Sequence, residues 1–271
     1  MRYNCVAMRS VFLAVAIGFA VAGLVSADEN VRAVQEKLRD GGFYLGQIDG
    51  AYSSQLSAAL TRYQIRNGLP ITGQLDEDTS KALGAKPAVT KNAATPEESS
   101  ETWRHLRRGE RQTIAKTQVR EKSSARSEET PEVTVERQPA SAPPATASRT
   151  SAERVRDYVG AFVLAGLDPK VGSETEFFAD RVHYYDQGVL DREQIRKDLQ
   201  HYAERWPQRR FWVDGEITIK PQDGNRVQVT FPLRYELRNG DKHSSGKINK
   251  TLVLEPAGDD LEIVAVNERK D

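Results

Sequence analysis

The stretch GFYLGQIDGAYSSQLSAALTRYQ, residues 42–64, places the dipeptide Asp49-Gly50 between a short aromatic run and an amphipathic segment. Asp-Gly is a common turn sequence. Ser53 or Ser54 can cap a helix after the turn, because a serine hydroxyl accepts hydrogen bonds from the free amides of the first helical turn. The apolar stripe of this helix consists of Leu56, Ala59, Leu60 and Tyr63. The stretch therefore predicts a turn followed by a short helix with one buried face.

Two further helices are predicted beside this stretch. Residues 31–38 have helical spacing ahead of Gly41-Gly42, which suits a left-handed helix end. Asp76 can cap a third helix that extends to residue 83. Residues 28–85 thus predict a small all-α domain of three helices, whose core is marginal because the segment is so short.

Many turn, capping and apolar positions in this segment match one known sequence pattern. They are Val34-Gln35, Leu38, Gly42-Phe43-Tyr44, Gly46, Ile48-Asp49-Gly50, Tyr52, Ala59-Leu60, Tyr63-Gln64, Gly68-Leu69, Thr72-Gly73, Leu75-Asp76, Thr79 and Leu83. Together they resemble the peptidoglycan-binding domain found beside many bacterial wall hydrolases. Two positions depart from that pattern, since the family usually has Gly where Ser53 stands and Thr where Leu56 stands.

The resemblance implies that this module binds peptidoglycan. Sugars and short peptides are bound by aromatic faces and a few fixed hydrogen-bonding groups, and the turn can hold such groups beside a rigid helix. Each candidate could instead brace the core or the loops. The candidate rim residues are Tyr44, Gln47, Asp49, Tyr52, Arg62 and Gln64.

The N-terminal end has the layout of a secretory signal peptide. In residues 1–27, Arg2 and Arg9 precede an apolar run, and Val25-Ser26-Ala27 is a small-residue cleavage pattern. We therefore expect an exported protein of the periplasm or cell wall whose mature chain starts at Asp28. An association with the membrane is expected only if this segment stays uncleaved.

Composition excludes several functional classes. The chain has 39 basic and 39 acidic residues, and removal of Arg2 and Arg9 leaves a net charge of −2, so no nucleic-acid partner is expected. The single cysteine, Cys5, lies in the predicted signal peptide, so the mature chain has no thiol for a disulfide or a zinc site. The histidines lack metal-ligand spacing, and we expect neither a metal nor a cofactor. They are His105, His183, His201 and His243.

Residues 86–150 predict a disordered linker, because they are rich in Ala, Ser, Thr, Glu, Arg and Pro. Within it, residues 96–122 could form a transient exposed helix. The basic run at residues 103–126 could contact an anionic surface, or it could be a solvated spacer. A flexible spacer of this length would let the two modules separate by roughly tens of ångströms.

Residues 151–271 predict an α+β domain, since helical spacing comes first and long alternating strands follow. Residues 154–164 have helical spacing, and Asp191 with Gln194 forms a capping box ahead of a second long helix. The element order and the patch FFADRVHYYDQGVLDREQIRKDLQHYAERWPQRRF, residues 177–211, resemble the nuclear-transport-factor-2-like cone of the SnoaL-type domains. That resemblance implies a curved antiparallel sheet with a pocket between sheet and helices.

Relatives of this fold use the pocket for acid/base catalysis in some cases and only for binding or dimerisation in others. Alternation places His183 and Tyr185 on one face of their strand and Tyr184 and Asp186 on the other. A tyrosine with His or Asp could form an acid/base pair, but no residue is assigned a catalytic role. The candidate pocket residues are His183, Tyr185, Asp186, Tyr202, Arg205, Trp206 and Arg209.

The sequence thus predicts an exported, non-enzymatic cell-wall protein. Its N-terminal module would bind peptidoglycan, and its C-terminal cone would bind a small ligand, a protein partner or a second copy of the chain. The alternative is a wall-tethered enzyme with its active site in the same cone.

Overall fold

A computed structural model describes residues 28–86, 96–109 and 152–270 of the chain. We call residues 28–86 the N-terminal module and residues 152–270 the C-terminal module. The predicted signal peptide and most of the predicted linker lie outside the described residues. None of the helices in the three described ranges is long and apolar enough to cross a membrane.

Three helices form the N-terminal module, as the sequence predicts. They are α1 (Glu29–Asp40), α2 (Ser54–Arg66) and α3 (Glu77–Leu83). The Ser53 hydroxyl accepts from the amide of Leu56 and the Asp76 carboxylate accepts from the amide of Thr79, so both predicted N-terminal caps are present. Gly42 has a φ of 73°, which is the left-handed conformation expected just beyond α1.

A fourth helix, α4 (Pro96–Arg108), lies within the segment predicted to be a linker. A helix was expected within residues 96–122 and is present, but the expectation that it is exposed is wrong, because Trp103 and Leu106 are fully buried. The Trp103 indole packs against Phe177 at a ring-centroid distance of 5.5 Å, and its Nε1–H donates to Asp168 at 2.8 Å. Two large apolar side chains thus anchor a segment whose average composition indicates disorder.

The C-terminal module begins with helices and continues as a sheet, which confirms the α+β prediction. Helix α5 (Ala152–Ala165) comes first, a 3-10 helix covers Ser173–Phe177, and α6 (Arg192–Arg205) follows the first two strands. The predicted capping box of Asp191 and Gln194 is present at the start of α6.

Within the described residues, seven strands form one sheet in the order β2-β1-β7-β6-β5-β3, and β4 also pairs with β5. All pairs are antiparallel except β1 with β7. The strands are β1 (Phe178–Tyr184), β2 (Val189–Asp191), β3 (Gln208–Val213), β4 (Thr218–Pro221), β5 (Val227–Asn239), β6 (Lys242–Ala257) and β7 (Asp260–Lys270). Their long alternating faces pack against α5 and complete a curved sheet.

The two modules are in direct contact, which differs from the expectation that a spacer keeps them apart. Helix α2 packs on α4 and α5, and Ala58 and Ile71 belong to the same apolar cluster as the core of the C-terminal module. The amide of Ile71 also donates to the carbonyl of Phe211 on β3 at 2.9 Å. Helix α4 fills the space between the modules, so one continuous core links all three described segments.

Candidate functional site: the aromatic cavity of the C-terminal module

Of the six candidate rim residues in the N-terminal module, Gln47 and Asp49 are exposed. Asp49 holds its turn closed, since it accepts from Gln35 Nε2 at 2.8 Å and from the amide of Ala51 at 2.9 Å. The hydrogen bond from Gln35 and then that from Ala51 lower the pKa of Asp49 below its usual value. Asp49 therefore braces the loop that presents Gln47.

The other candidate rim residues are buried or occupied, which corrects the expectation that they form an accessible rim. Tyr44 is buried and donates to the carbonyl of Gln47, and the half-buried Tyr52 donates to that of Gly73. Gln64 is fully buried and its side chain satisfies the amides of Thr72 and Gly73, while Arg62 is buried against Asp157 of α5. The polar groups of these four side chains form hydrogen bonds that stabilise the loops and the contact between the two modules.

A cavity of about 380 Å³ lies in the C-terminal module between the sheet and helices α5 and α6. Pockets of this size with largely apolar walls and a few converging polar groups are typical of small-molecule sites. The aromatic lining consists of Phe162, Phe178, Tyr184, Tyr185, Tyr202, Phe211 and Tyr235. The ionisable lining consists of Glu174, Asp198, Lys250, Glu268 and Lys270.

Glu174 enters the cavity from the 3-10 helix that precedes β1. Removal from water raises the pKa of Glu174 to about 7, because burial disfavours the charged carboxylate. Gly166 lies close by, and a Cβ added there would be 3.1 Å from Glu174 Oε1. Near neutral pH this carboxyl group can both accept and release a proton.

Lys250 on β6 stands at an inward position opposite Glu268 on β7. Its Nζ lies 3.2 Å from Glu268 Oε2 and donates to the Tyr185 hydroxyl oxygen at 2.8 Å. Burial alone would lower the pKa of Lys250, but Tyr185 and Glu268 outweigh it, and the pKa is raised. The cavity wall thus holds a charged lysine between a carboxylate and a phenol.

Two neighbouring tyrosines enter the cavity at the end of β1. The Tyr184 hydroxyl donates to Asp198 Oδ2 on α6 at 2.8 Å, and burial raises the pKa of Tyr184. Tyr185 has a φ of 50°, which is rare for a bulky side chain. Because the strand ends there, Tyr185 lines the cavity beside Tyr184 instead of facing outward with His183.

The candidate pocket residues therefore separate into three groups. Tyr185 and Tyr202 line the cavity, and burial raises the pKa of Tyr202 to about 12. The Arg209 guanidinium lies 5.8 Å from the Tyr202 ring centroid. The expectation that the rest line the pocket is wrong, since His183, Asp186 and Arg205 are exposed and Trp206 is half-buried away from the lining.

Sequence reasoning missed Glu174, Lys250 and Glu268. Lys250 had a readable signal, because it shares its strand face with Ile248 and Leu252, and a charged residue in an apolar row marks an inward functional position. Glu174 had no such signal, since nothing in its short helix indicates which side chain faces the cavity. No group of acidic, His or Cys residues in the described ranges could hold a metal ion.

Comparison with known proteins bears first on the N-terminal module. Residues 27–83 match the family described as "Putative peptidoglycan binding domain". The resemblance read from the sequence is thereby confirmed for this module. A comparison with curated proteins found no match.

Solved structures resemble the C-terminal part of the chain. A "Putative calcium/calmodulin dependent protein kinase II association domain" from Xanthomonas campestris is 14% identical with a TM-score of 0.40, covering 45% of this chain and 88% of that one. ActVI-ORFA from Streptomyces coelicolor is 15% identical with a TM-score of 0.39, covering 43% and 95%. A nuclear transport factor 2-like superfamily protein from Salmonella enterica is 14% identical with a TM-score of 0.32, covering 36% and 76%.

Proposed function

We propose that the chain is an exported cell-wall protein that binds peptidoglycan through its N-terminal module and a small ligand in the aromatic cavity of its C-terminal module. The observation that carries the proposal is this cavity of about 380 Å³, which occurs in a chain whose residues 27–83 match a peptidoglycan-binding family. Export agrees with the signal-peptide layout of residues 1–27.

A small ligand fits the C-terminal module better than a second copy of the chain does. A dimer module would present an exposed apolar sheet face. The large apolar side chains exposed in the described ranges are Leu45, Val171 and Val189, and none of them lies on the long strands β5 to β7. The cavity, by contrast, already has apolar walls and several charged groups.

The wall-binding half of the proposal is tested by co-sedimentation of the full chain with purified peptidoglycan sacculi at low salt. We expect the chain to pellet and Gln47→Ala to weaken pelleting several-fold, because Gln47 is exposed beside the braced turn. Gln222→Ala is the matched control, since it removes an exposed amide from the C-terminal module. If the full chain stays in the supernatant, the wall-binding proposal is wrong.

The alternative function, a wall-tethered enzyme, is favoured by one observation. Glu174 has a pKa of about 7 inside a largely apolar cavity, and a general acid or base works best when its pKa is near the operating pH. The test is mass spectrometry of wall fragments after incubation with the chain. Products that form with the natural chain and not with Glu174→Gln would establish the enzyme.

A further inference from the structure

The hydroxyl group of Tyr185 is held as a hydrogen-bond donor into the aromatic cavity. A protonated lysine carries donors only, so in the 2.8 Å contact between Lys250 Nζ and Tyr185 the phenol oxygen must accept. The Tyr185 hydroxyl proton is then available to a ligand, since within the described residues this hydroxyl makes no hydrogen bond other than the one it accepts from Lys250. Tyr184 differs, because its own proton is already donated to Asp198.

The position of Tyr185 is fixed from several sides. Its amide donates to the carbonyl of Val266, its ring packs edge-on against Tyr184 at 4.6 Å, and its backbone has the left-handed φ of 50°. A backbone conformation that costs free energy and persists in a cavity wall is a common feature of ligand sites. The phenol is therefore oriented before any ligand arrives, which reduces the entropy lost on binding.

The charges around Tyr185 argue against a charged ligand. A cationic ligand would meet rings that already have cations beside them, with Lys250 Nζ 5.2 Å from the Tyr185 centroid and Arg209 5.8 Å from that of Tyr202. The carboxylates that could attract it are also engaged, since Asp198 accepts from Tyr184 and Glu268 is paired with Lys250. An anionic ligand would lie among three carboxyl groups, those of Glu174, Asp198 and Glu268. Lys250 offers little compensation, because it is already paired with Glu268 at 3.2 Å. The other lysine of the lining, Lys270, is exposed, so water screens its charge.

We infer that the cavity binds a neutral aromatic or apolar molecule that carries a carbonyl group, and that Tyr185 donates to the carbonyl oxygen. The contact from Lys250 polarises the phenol and strengthens this donor. The aromatic walls supply the apolar contact area. This inference rests on the proposed ligand-binding function of the cavity and adds the chemical class of the ligand.

The experiment compares two probes of equal shape, 2-acetylnaphthalene and 2-ethylnaphthalene, by equilibrium dialysis against the full chain. We expect the ketone to bind roughly tenfold more tightly than the hydrocarbon, because a buried donor left without its acceptor loses about that much affinity. Tyr185→Phe should remove this preference and leave the affinity for the hydrocarbon within about twofold. Tyr63→Phe, a tyrosine of the N-terminal module, is the matched control and should change neither affinity.

The possible outcomes distinguish the inference about the carbonyl group from the underlying proposal that the cavity binds a small ligand. If the natural chain binds neither probe, ligand binding in the cavity is wrong and the inference fails with it. If both probes bind equally, or if Tyr185→Phe keeps the preference for the ketone, the cavity binds ligands but Tyr185 does not select a carbonyl group. A preference that disappears only in Tyr185→Phe supports the inference.

Discussion

Arg62 of α2 and Asp157 of α5 form a buried ion pair between the two modules, with Arg62 Nε 3.0 Å from both carboxylate oxygens. The two side chains are only 7% and 5% exposed. A guanidinium and a carboxylate removed from water lose their hydration, so each depends on the other for compensation. The pair therefore ties the family-matched module to the C-terminal module and leaves Arg62 unavailable to wall polymer.

We predict that Arg62→Ala lowers the free energy of unfolding by about 3–5 kcal/mol, because it removes the buried guanidinium that lies 3.0 Å from both oxygens of the buried Asp157 carboxylate. Arg66→Ala is the control on the same two helices. Its partner Glu153 is 3.0 Å away, but both side chains are about half exposed, so the loss should stay below about 1 kcal/mol. Urea denaturation measures both values, and equal losses would contradict the buried pair.

A second prediction concerns a tight contact between α2 and α5 at Gly160. A Cβ at Gly160 would lie 2.6 Å from Ile65 Cδ1, so the two helices meet where one of them has no side chain. Gly160→Leu should destabilise the chain by about 1–3 kcal/mol through overpacking. The double variant Gly160→Leu with Ile65→Ala should recover part of the lost stability, because the shorter side chain at position 65 leaves space for the leucine. Thermal unfolding tests this, and a Gly160→Leu chain as stable as the natural one would show that the helices are further apart.

The sequence predicted those features that depend on a few neighbouring residues. The capping box of Asp191 and Gln194, the cap at Ser53 and the left-handed Gly42 each involve a side chain or backbone conformation within one helical turn. Alternation likewise indicated the long strands of the sheet. Signals of this kind need no information about the rest of the chain.

Contacts between distant residues could not be predicted in this way. Arg62 and Asp157 are 95 positions apart, and an arginine on a helix gives no indication of whether it meets solvent or a buried carboxylate. Alternation grouped Tyr185 with His183 on one strand face, because it assumes an extended backbone. The φ of 50° at Tyr185 ends that pattern, so Tyr185 lines the cavity while His183 is exposed. Tyr185 and Tyr202 of the site were thus named from the sequence, whereas the charged groups Glu174, Lys250 and Glu268 emerged only from the packing of elements around the cavity.

Helix α4 gives a third prediction, because Trp103 fills a fully buried position and its indole N–H donates to Asp168, itself 2% exposed. Trp103→Ala should cost about 3–5 kcal/mol of unfolding free energy, since it leaves a large cavity and removes a donor from a buried carboxylate. Trp206→Ala is the comparison and should cost much less, because that ring is half-buried. Urea denaturation of both variants tests this. If Trp103→Ala and Trp206→Ala have the same denaturation midpoint, α4 is not part of the core.

The last prediction follows from Glu174, whose pKa is raised from 4.5 to about 7 by burial. The folded chain holds this proton to a higher pH than the unfolded chain does, so the associated stability is present below about pH 4.5 and is lost as the pH rises towards 7. Glu174→Gln mimics the protonated form, and it should match the natural chain near pH 4.5 and exceed its stability at pH 8 by up to about 3 kcal/mol. Glu193→Gln, on the exposed face of α6, is the control for removing a carboxylate as such. Urea denaturation between pH 4.5 and pH 8 measures the free energy of unfolding of each chain. If Glu174→Gln and the natural chain differ by the same amount at every pH, Glu174 does not bury its charge.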